Sequence, residues 1–352
     1  MADKIEARTA GFTDINRVIA LWGFTEAALG GILHAVRFPF TGLFISCAAV
    51  TYIILIDYLT GSKIEILRAT LIVILIKAMV NPYAQFAAYL AVALQGLMGY
   101  LFFSTIRFKR GASLLLGLCS LLFSALQKLI FLTLVFGMSF WKSIDLFAAF
   151  VLSQFPMFAK VNTISFSILL ISIYTGIHVI AGIYVGIKAP GFPGWLRSKS
   201  ESLDKTAIEW NNDSELFLGK KTKSKRGWWR KKSGILFLIF TIGLLILSYI
   251  FPQLGKNIIY DIIFMLIRSI LIMTVWFGIL SPVAMRYFKR FVEKKSSKHA
   301  LEIERITRLF PKFRLAVNYC WRNSAQSSGL KRFKKFFSDS LVILLLTKMG
   351  EE

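Results

Sequence analysis

The chain has 352 residues, is 56% hydrophobic with a mean hydropathy of +0.62, and carries 43 Lys and Arg against 19 Asp and Glu, a formal charge of +24. A soluble domain of this size needs a more polar surface, whereas apolar helices in a bilayer with basic segments beside it reconcile the two properties. The composition therefore excludes a soluble enzyme and a disordered chain, and the three scattered cysteines (Cys47, Cys119, Cys320) exclude a disulfide or zinc framework.

The first 16 residues are polar and mixed in charge, without the pattern of a secretory signal. A spanning helix needs about 20 mostly apolar residues. Eight runs meet that length: 18–36, 41–60, 64–81, 84–106, 111–139, 163–187, 233–251 and 257–283. The expected fold is an all-α integral membrane protein, a six-helix bundle plus two further spans with cytoplasmic amphipathic helices. With the N-terminus inside, 36 cations fall in inside segments and four (Arg37, Lys142, Lys160, Lys256) in outside loops. That asymmetry predicts a multi-pass protein of a bacterial-type inner membrane with both termini cytoplasmic. Topology accounts for the sign of the charge, so no nucleic acid is expected as a partner.

Four regions follow. Residues 1–188 hold six spans, 189–232 form a basic cytoplasmic linker, 233–283 hold two spans, and 284–352 form a cytoplasmic tail. The segment Ala189–Gly194 (APGFPG) is expected to stop the sixth helix. The linker ends in a polybasic run with Trp228 and Trp229, a pattern suited to anionic lipid. In the tail, Ile303, Ile306, Phe310, Phe313, Val317 and Cys320 step by three and four and define one apolar helical face. Pro311 is expected to divide it into helices near 286–309 and 312–325. Leu341 to Leu346 is apolar but too short to span. Such helices suit either an anionic lipid surface or a docking platform for a cytoplasmic partner, carried by Ile306, Arg308, Phe313, Arg314, Val317 and Arg322.

Ionisable residues inside spans are costly and usually face protein. They include Glu26, His34, Asp57, Lys77, Lys128, His178 and Arg268. Glu26, His34, Lys77 and Lys128, with the amides of Gln85 and Gln127, are the candidate small-molecule site, suited to an anionic solute. The alternative is that Glu26 pairs with one lysine and ties helices together. Glycines at 23, 30, 31, 96, 99, 176, 182 and 186 permit close helix approach. No catalytic constellation, P-loop or metal-ligand spacing occurs, so the protein is not expected to be an enzyme or to hold a cofactor or metal.

Two phrases in the first part resemble the substrate-binding (S) components of energy-coupling factor transporters. One is Glu26-Ala-Ala-Leu-Gly-Gly-Ile-Leu-His34 followed by Phe38-Pro39-Phe40-Thr41-Gly42. The other runs from Leu75-Ile-Lys77-Ala through Asn81-Pro82-Tyr83 to Tyr89-Leu-Ala-Val-Ala-Leu-Gln95-Gly96. Residues 233–352 are more distantly similar to the transmembrane (T) component, through Asn323-Ser-Ala325-Gln326-Ser327-Ser328-Gly329; Ser328 stands where that motif carries its arginine. The resemblance implies uptake of a vitamin-like nutrient, with ATP hydrolysed on cytoplasmic ABC-type ATPase subunits and a separate T component as a further candidate partner. Two other classes compete. One is a secondary transporter or channel with Glu26 and His34 as proton-responsive groups. The other is a membrane scaffold whose basic tail recruits a partner.

Overall fold

The computed structural model describes residues 15–36, 38–81, 84–154, 165–201 and 258–346, all helical apart from short connections and without a strand. Five helices are long and apolar enough to cross a bilayer: Thr41–Thr60, Phe86–Thr105, Lys109–Phe136, Phe166–Lys199 and Ile263–Lys298. The described residues are all-helical, and these five helices make the chain a multi-pass membrane protein. The expected run 64–81 is the 17-residue helix Ile64–Val80, and the run 18–36 is interrupted by a π turn. The run 233–251 and the polybasic segment 220–232 lie outside the described residues.

Two compact units divide the chain, and neither is continuous in sequence. One comprises Met1–Leu121, Ile180–Lys220 and Phe291–Glu352; the other comprises Leu122–Val179 and Lys221–Arg290.

In the first unit, α1 (Ile15–Phe24) is buried along nearly its whole length, Trp22 included. A π turn, Thr25–Leu29, joins it to α2 (Gly30–Ala35). The Gly30 N–H donates to the Thr25 carbonyl, the five-residue step of a π bulge. Around α1 stand α3 (Thr41–Thr60) and α4 (Ile64–Val80), and α5 (Phe86–Thr105) packs on both of these. The α4–α5 crossing is close because position 96 has no side chain: a Cβ on Gly96 would lie 2.0 Å from Thr70 Oγ1. The next crossing joins α6 (Lys109–Phe136) to α8 (Phe166–Lys188). There the glycines meet backbone. A Cβ on Gly117 would lie 2.3 Å from the Gly182 carbonyl oxygen, and one on Gly186 would lie 2.7 Å from Leu114 Cα. Gly182 and Gly186 thus act as a small-x-x-x-small pair.

The segment 189–194 does not end helical structure. Ala189–Gly191 forms a 3-10 turn and α9 (Phe192–Glu201) follows at once. Pro190 sits in the 3-10 turn and Pro193 in the first turn of α9, positions where proline is tolerated.

In the second unit, α7 (Met138–Ser153) packs against α10 (Ile258–Val275). The Arg268 guanidinium of α10 donates to the Phe136 carbonyl, and Ser269 Oγ donates to the Val135 carbonyl at 3.3 Å. Asp145 of α7 caps the start of α8. It accepts the Ser167 N–H at 2.7 Å and the hydroxyls of Ser165 and Ser167. These donors hold its carboxyl below the ordinary carboxylate range, the Ser167 backbone bond contributing most.

A second π turn, Trp276–Leu280, leads from α10 into α11 (Ser281–Lys298). The tail continues as α12 (Ala300–Thr307), α13 (Leu309–Asn323) and α14 (Gly329–Leu346). Its divisions differ from the expected pair of helices. One falls at His299, another at Arg308, and Pro311 sits in the first turn of α13, where proline is tolerated. Leu341–Leu346 is the buried end of α14.

Candidate functional site

Within the first unit the tail helices pack on the N-terminal helices. α12, α13 and α14 all contact α1; α12 also contacts α4, and α14 contacts α9. Ile303, Ile306, Phe313, Ala316 and Cys320 are buried in this packing, and Phe310 lies edge-on to Phe24 at 5.8 Å. Among the expected partner-binding residues, Ile306 and Phe313 are covered by the chain itself and Val317 is half-buried. Arg308, Arg314 and Arg322 are exposed. The periodic face read from sequence is therefore an internal contact surface, and the arginines off it are what the tail presents outward.

Ion pairs gather where these helices meet. Asp57, buried near the end of α3, accepts from Lys63 and, at 2.8 Å, from Lys109. Arg68 of α4 reaches Glu302 of α12 at 2.6 Å. The end of α3, the starts of α4 and α6, and the tail thus share one face of the unit, the one the charge count assigns to the inside.

Deeper along α1 lies a second ionic feature. Lys77 Nζ donates to Glu26 Oε2 at 2.7 Å, and the two side chains are 8% and 2% exposed. Glu26 is carried by the π turn and Lys77 by α4. Lys77 also donates to the Ala88 carbonyl of α5 at 3.3 Å and lies 6.0 Å from the Tyr89 ring centroid. Tyr89 in turn donates to the Asn81 carbonyl at 2.9 Å. The other Glu26 oxygen, Oε1, is buried without a hydrogen-bond partner among the described residues, and so is Trp22 Nε1, one turn earlier on α1. Buried polar atoms left without a partner are uncommon in a packed protein. Thr25 closes its own hydroxyl on the Leu21 carbonyl at 2.7 Å and lies 3.2 Å from the Tyr52 hydroxyl. Between α5 and α3, Gln95 donates to Ser46 at 2.9 Å.

The structure brings Glu26 and Lys77 together. Gln85 is exposed at the start of α5, and the His34 side chain lies outside the described residues. Gln127 and Lys128 belong to the second unit. There Lys128 stands 5.3 Å from the Tyr174 ring centroid, and buried His178 has Nδ1 at 2.8 Å from the Tyr174 carbonyl. A groove lined by Phe108, Arg110, Gly111, Leu114, Ile187, Pro190 and Gly191 opens at the adjoining ends of α6 and α8; neither Glu26 nor Lys77 lines it. Among the described residues no group of three metal-ligating side chains occurs.

Sequence reasoning flagged Glu26, Lys77 and Asp57 but not Trp22, Tyr89 or the π turn that turns Glu26 inward. Two signals were available: Thr25, able to bond back to its own helix, and the Gly30-Gly31 pair just after. No family model, curated protein or solved structure matches the chain.

Proposed function

We propose that the protein is the membrane subunit of an ATP-driven importer of the energy-coupling factor type. In this reading it takes a small, vitamin-like solute from outside, and its tail couples that site to cytoplasmic ATPase chains. The observation that carries it is the double role of α1. This one helix is gripped by the three tail helices and also continues into the π turn that holds Glu26 against Lys77. A displacement of the tail would therefore be felt at the buried pair. The open Glu26 Oε1 and Trp22 Nε1 supply an acceptor and a donor for a polar solute group. The exposed Arg308, Arg314 and Arg322 supply an outward cationic surface for the ATPase.

The test is gentle extraction of the tagged chain from its native membrane, followed by native mass spectrometry. An ATPase should co-purify and be lost on combined Arg308→Glu, Arg314→Glu and Arg322→Glu substitution. A bound small molecule should be lost on Glu26→Gln. A chain that purifies alone and concentrates solute in ATP-free liposomes under a proton gradient would instead be a secondary transporter. A stable complex with a protein lacking ATPase activity, and with no bound small molecule, would make it a scaffold.

A further inference from the structure

The tail carries one surface that its own packing leaves uncovered. On α14, Leu330, Phe333 and Phe337 recur at steps of three and four and are 89%, 53% and 58% exposed. Trp321 of α13, 43% exposed, joins them, with ring centroids 6.2 Å from Phe333 and 5.2 Å from Phe336. Arg332 stacks over the Trp321 ring at 4.3 Å. Lys331, Lys334 and Lys335 flank the stripe, and no Asp or Glu occurs from residue 305 to residue 338. The last two turns of the same helix face inward and are buried among apolar neighbours. The helix is thus anchored at one end and offers an aromatic and cationic face at the other.

We propose that this face is a binding site for the anionic phospholipid headgroups of the leaflet beside it. Two properties select a leaflet over other polyanions. The cations, in a stretch without an acidic residue from 305 to 338, require a dense negative surface. The exposed leucine and aromatic rings require an apolar medium directly beneath that charge, and a bilayer interface layers the two in that order. The membrane is already present at the ends of this chain's spanning helices, so the contact needs no diffusing partner. It needs only the membrane placement of the chain, not the transport reading, and each can fail without the other.

The experiment uses the full chain in nanodiscs of phosphatidylcholine alone or with about one third phosphatidylglycerol, read by hydrogen exchange of the 329–338 amides. Exchange should slow by roughly tenfold or more in the anionic discs, since each cation near such a surface is worth about a fivefold change in affinity. Combined Lys331→Gln, Lys334→Gln and Lys335→Gln should abolish the slowing, and so should Phe333→Ala with Phe337→Ala. The 342–346 amides report that the buried end of the helix is intact in every variant. Equal exchange in the two lipids overturns the proposal, as does protection that survives both sets of substitutions. Slowing that appears only on adding a cytoplasmic protein fraction overturns it in favour of a protein surface.

Discussion

Lys77→Met tests the energetics of the buried ion pair directly. The substitution keeps the bulk of the lysine stem and removes its charge. Glu26 is left with a side chain 2% exposed, one oxygen newly unpaired and the other already without a partner. Breaking a buried ion pair from one side costs about 3–5 kcal/mol, because the remaining charge is neither solvated nor compensated. An interhelical hydrogen bond in a membrane bundle averages only about 0.6 kcal/mol, so the two accounts differ several-fold. Thermal unfolding in nanodiscs, followed by tryptophan fluorescence, separates them: the larger figure lowers Tm by roughly 6–20 °C for a body of this size. Glu26→Gln alone should also destabilise, by stranding the ammonium. The double variant Glu26→Gln with Lys77→Met should recover most of the loss, since apolar or neutral replacement of a whole buried pair is often close to neutral. Single losses below about 1 kcal/mol that add without coupling in the double variant would refute the reasoning, by showing that water reaches the pair.

Three further outcomes follow from the packing. Gly182→Ala should cost about 1–3 kcal/mol in the same unfolding assay, because its Cβ would lie 2.7 Å from the Gly117 carbonyl oxygen. Gly176→Ala on the same helix meets nothing within 4 Å and should be neutral or stabilising. Phe313→Ala should cost about 3–5 kcal/mol and open the tail to trypsin, whereas Leu330→Ala, 89% exposed, should change stability by about 0.5 kcal/mol or less. The Asp145 cap should fail on acidification. Its carboxyl is depressed in the fold, so its contribution is complete above the ordinary value of about 3.9 and disappears as pH falls through the lower folded value. Hydrogen exchange of the first amides of α8 should quicken in that range in the native chain and be fast at all pH values in Asp145→Ala.

Much of the helical plan was legible because it rests on run length and charge. The run 41–60 coincides with α3, and 84–106, 111–139 and 163–187 differ from α5, α6 and α8 by a few residues at each end. Helix breaks were less legible, because proline acts differently in a first turn than in an interior. Pro190, Pro193 and Pro311 each begin a helical segment where a stop was expected. The tail's apolar face was visible as a period, but a period does not say what covers it. Ile306 and Phe313 read as a lipid-facing or partner-docking surface, and the fold makes them core. At the site, Glu26 and Lys77 stood out as charges in apolar runs. Their pairing across 51 positions places Glu26 on the π turn, for which Thr25 and the Gly30-Gly31 pair are the only local cues.

The rim pairs carry topological weight that the charge count alone does not. Asp57 can accept from both Lys63 and Lys109 only if the chain leaves and returns to the same face between them. α4 and α5 must then act as one complete excursion, although α4 is only 17 residues long and buried along most of its length. The contact of α9 with α14 imposes the same condition on α6 and α8, which lead from Lys109 to α9. The Arg68–Glu302 pair returns the tail to that face as well. None of these contacts uses the statistics of Lys and Arg in loops, yet they gather the same ends that the count places inside. The buried face of the tail gives the condition its strength. Exposed pairs such as Arg68–Glu302 contribute little energy individually, whereas the apolar packing of α12, α13 and α14 on α1 fixes where those charges can meet.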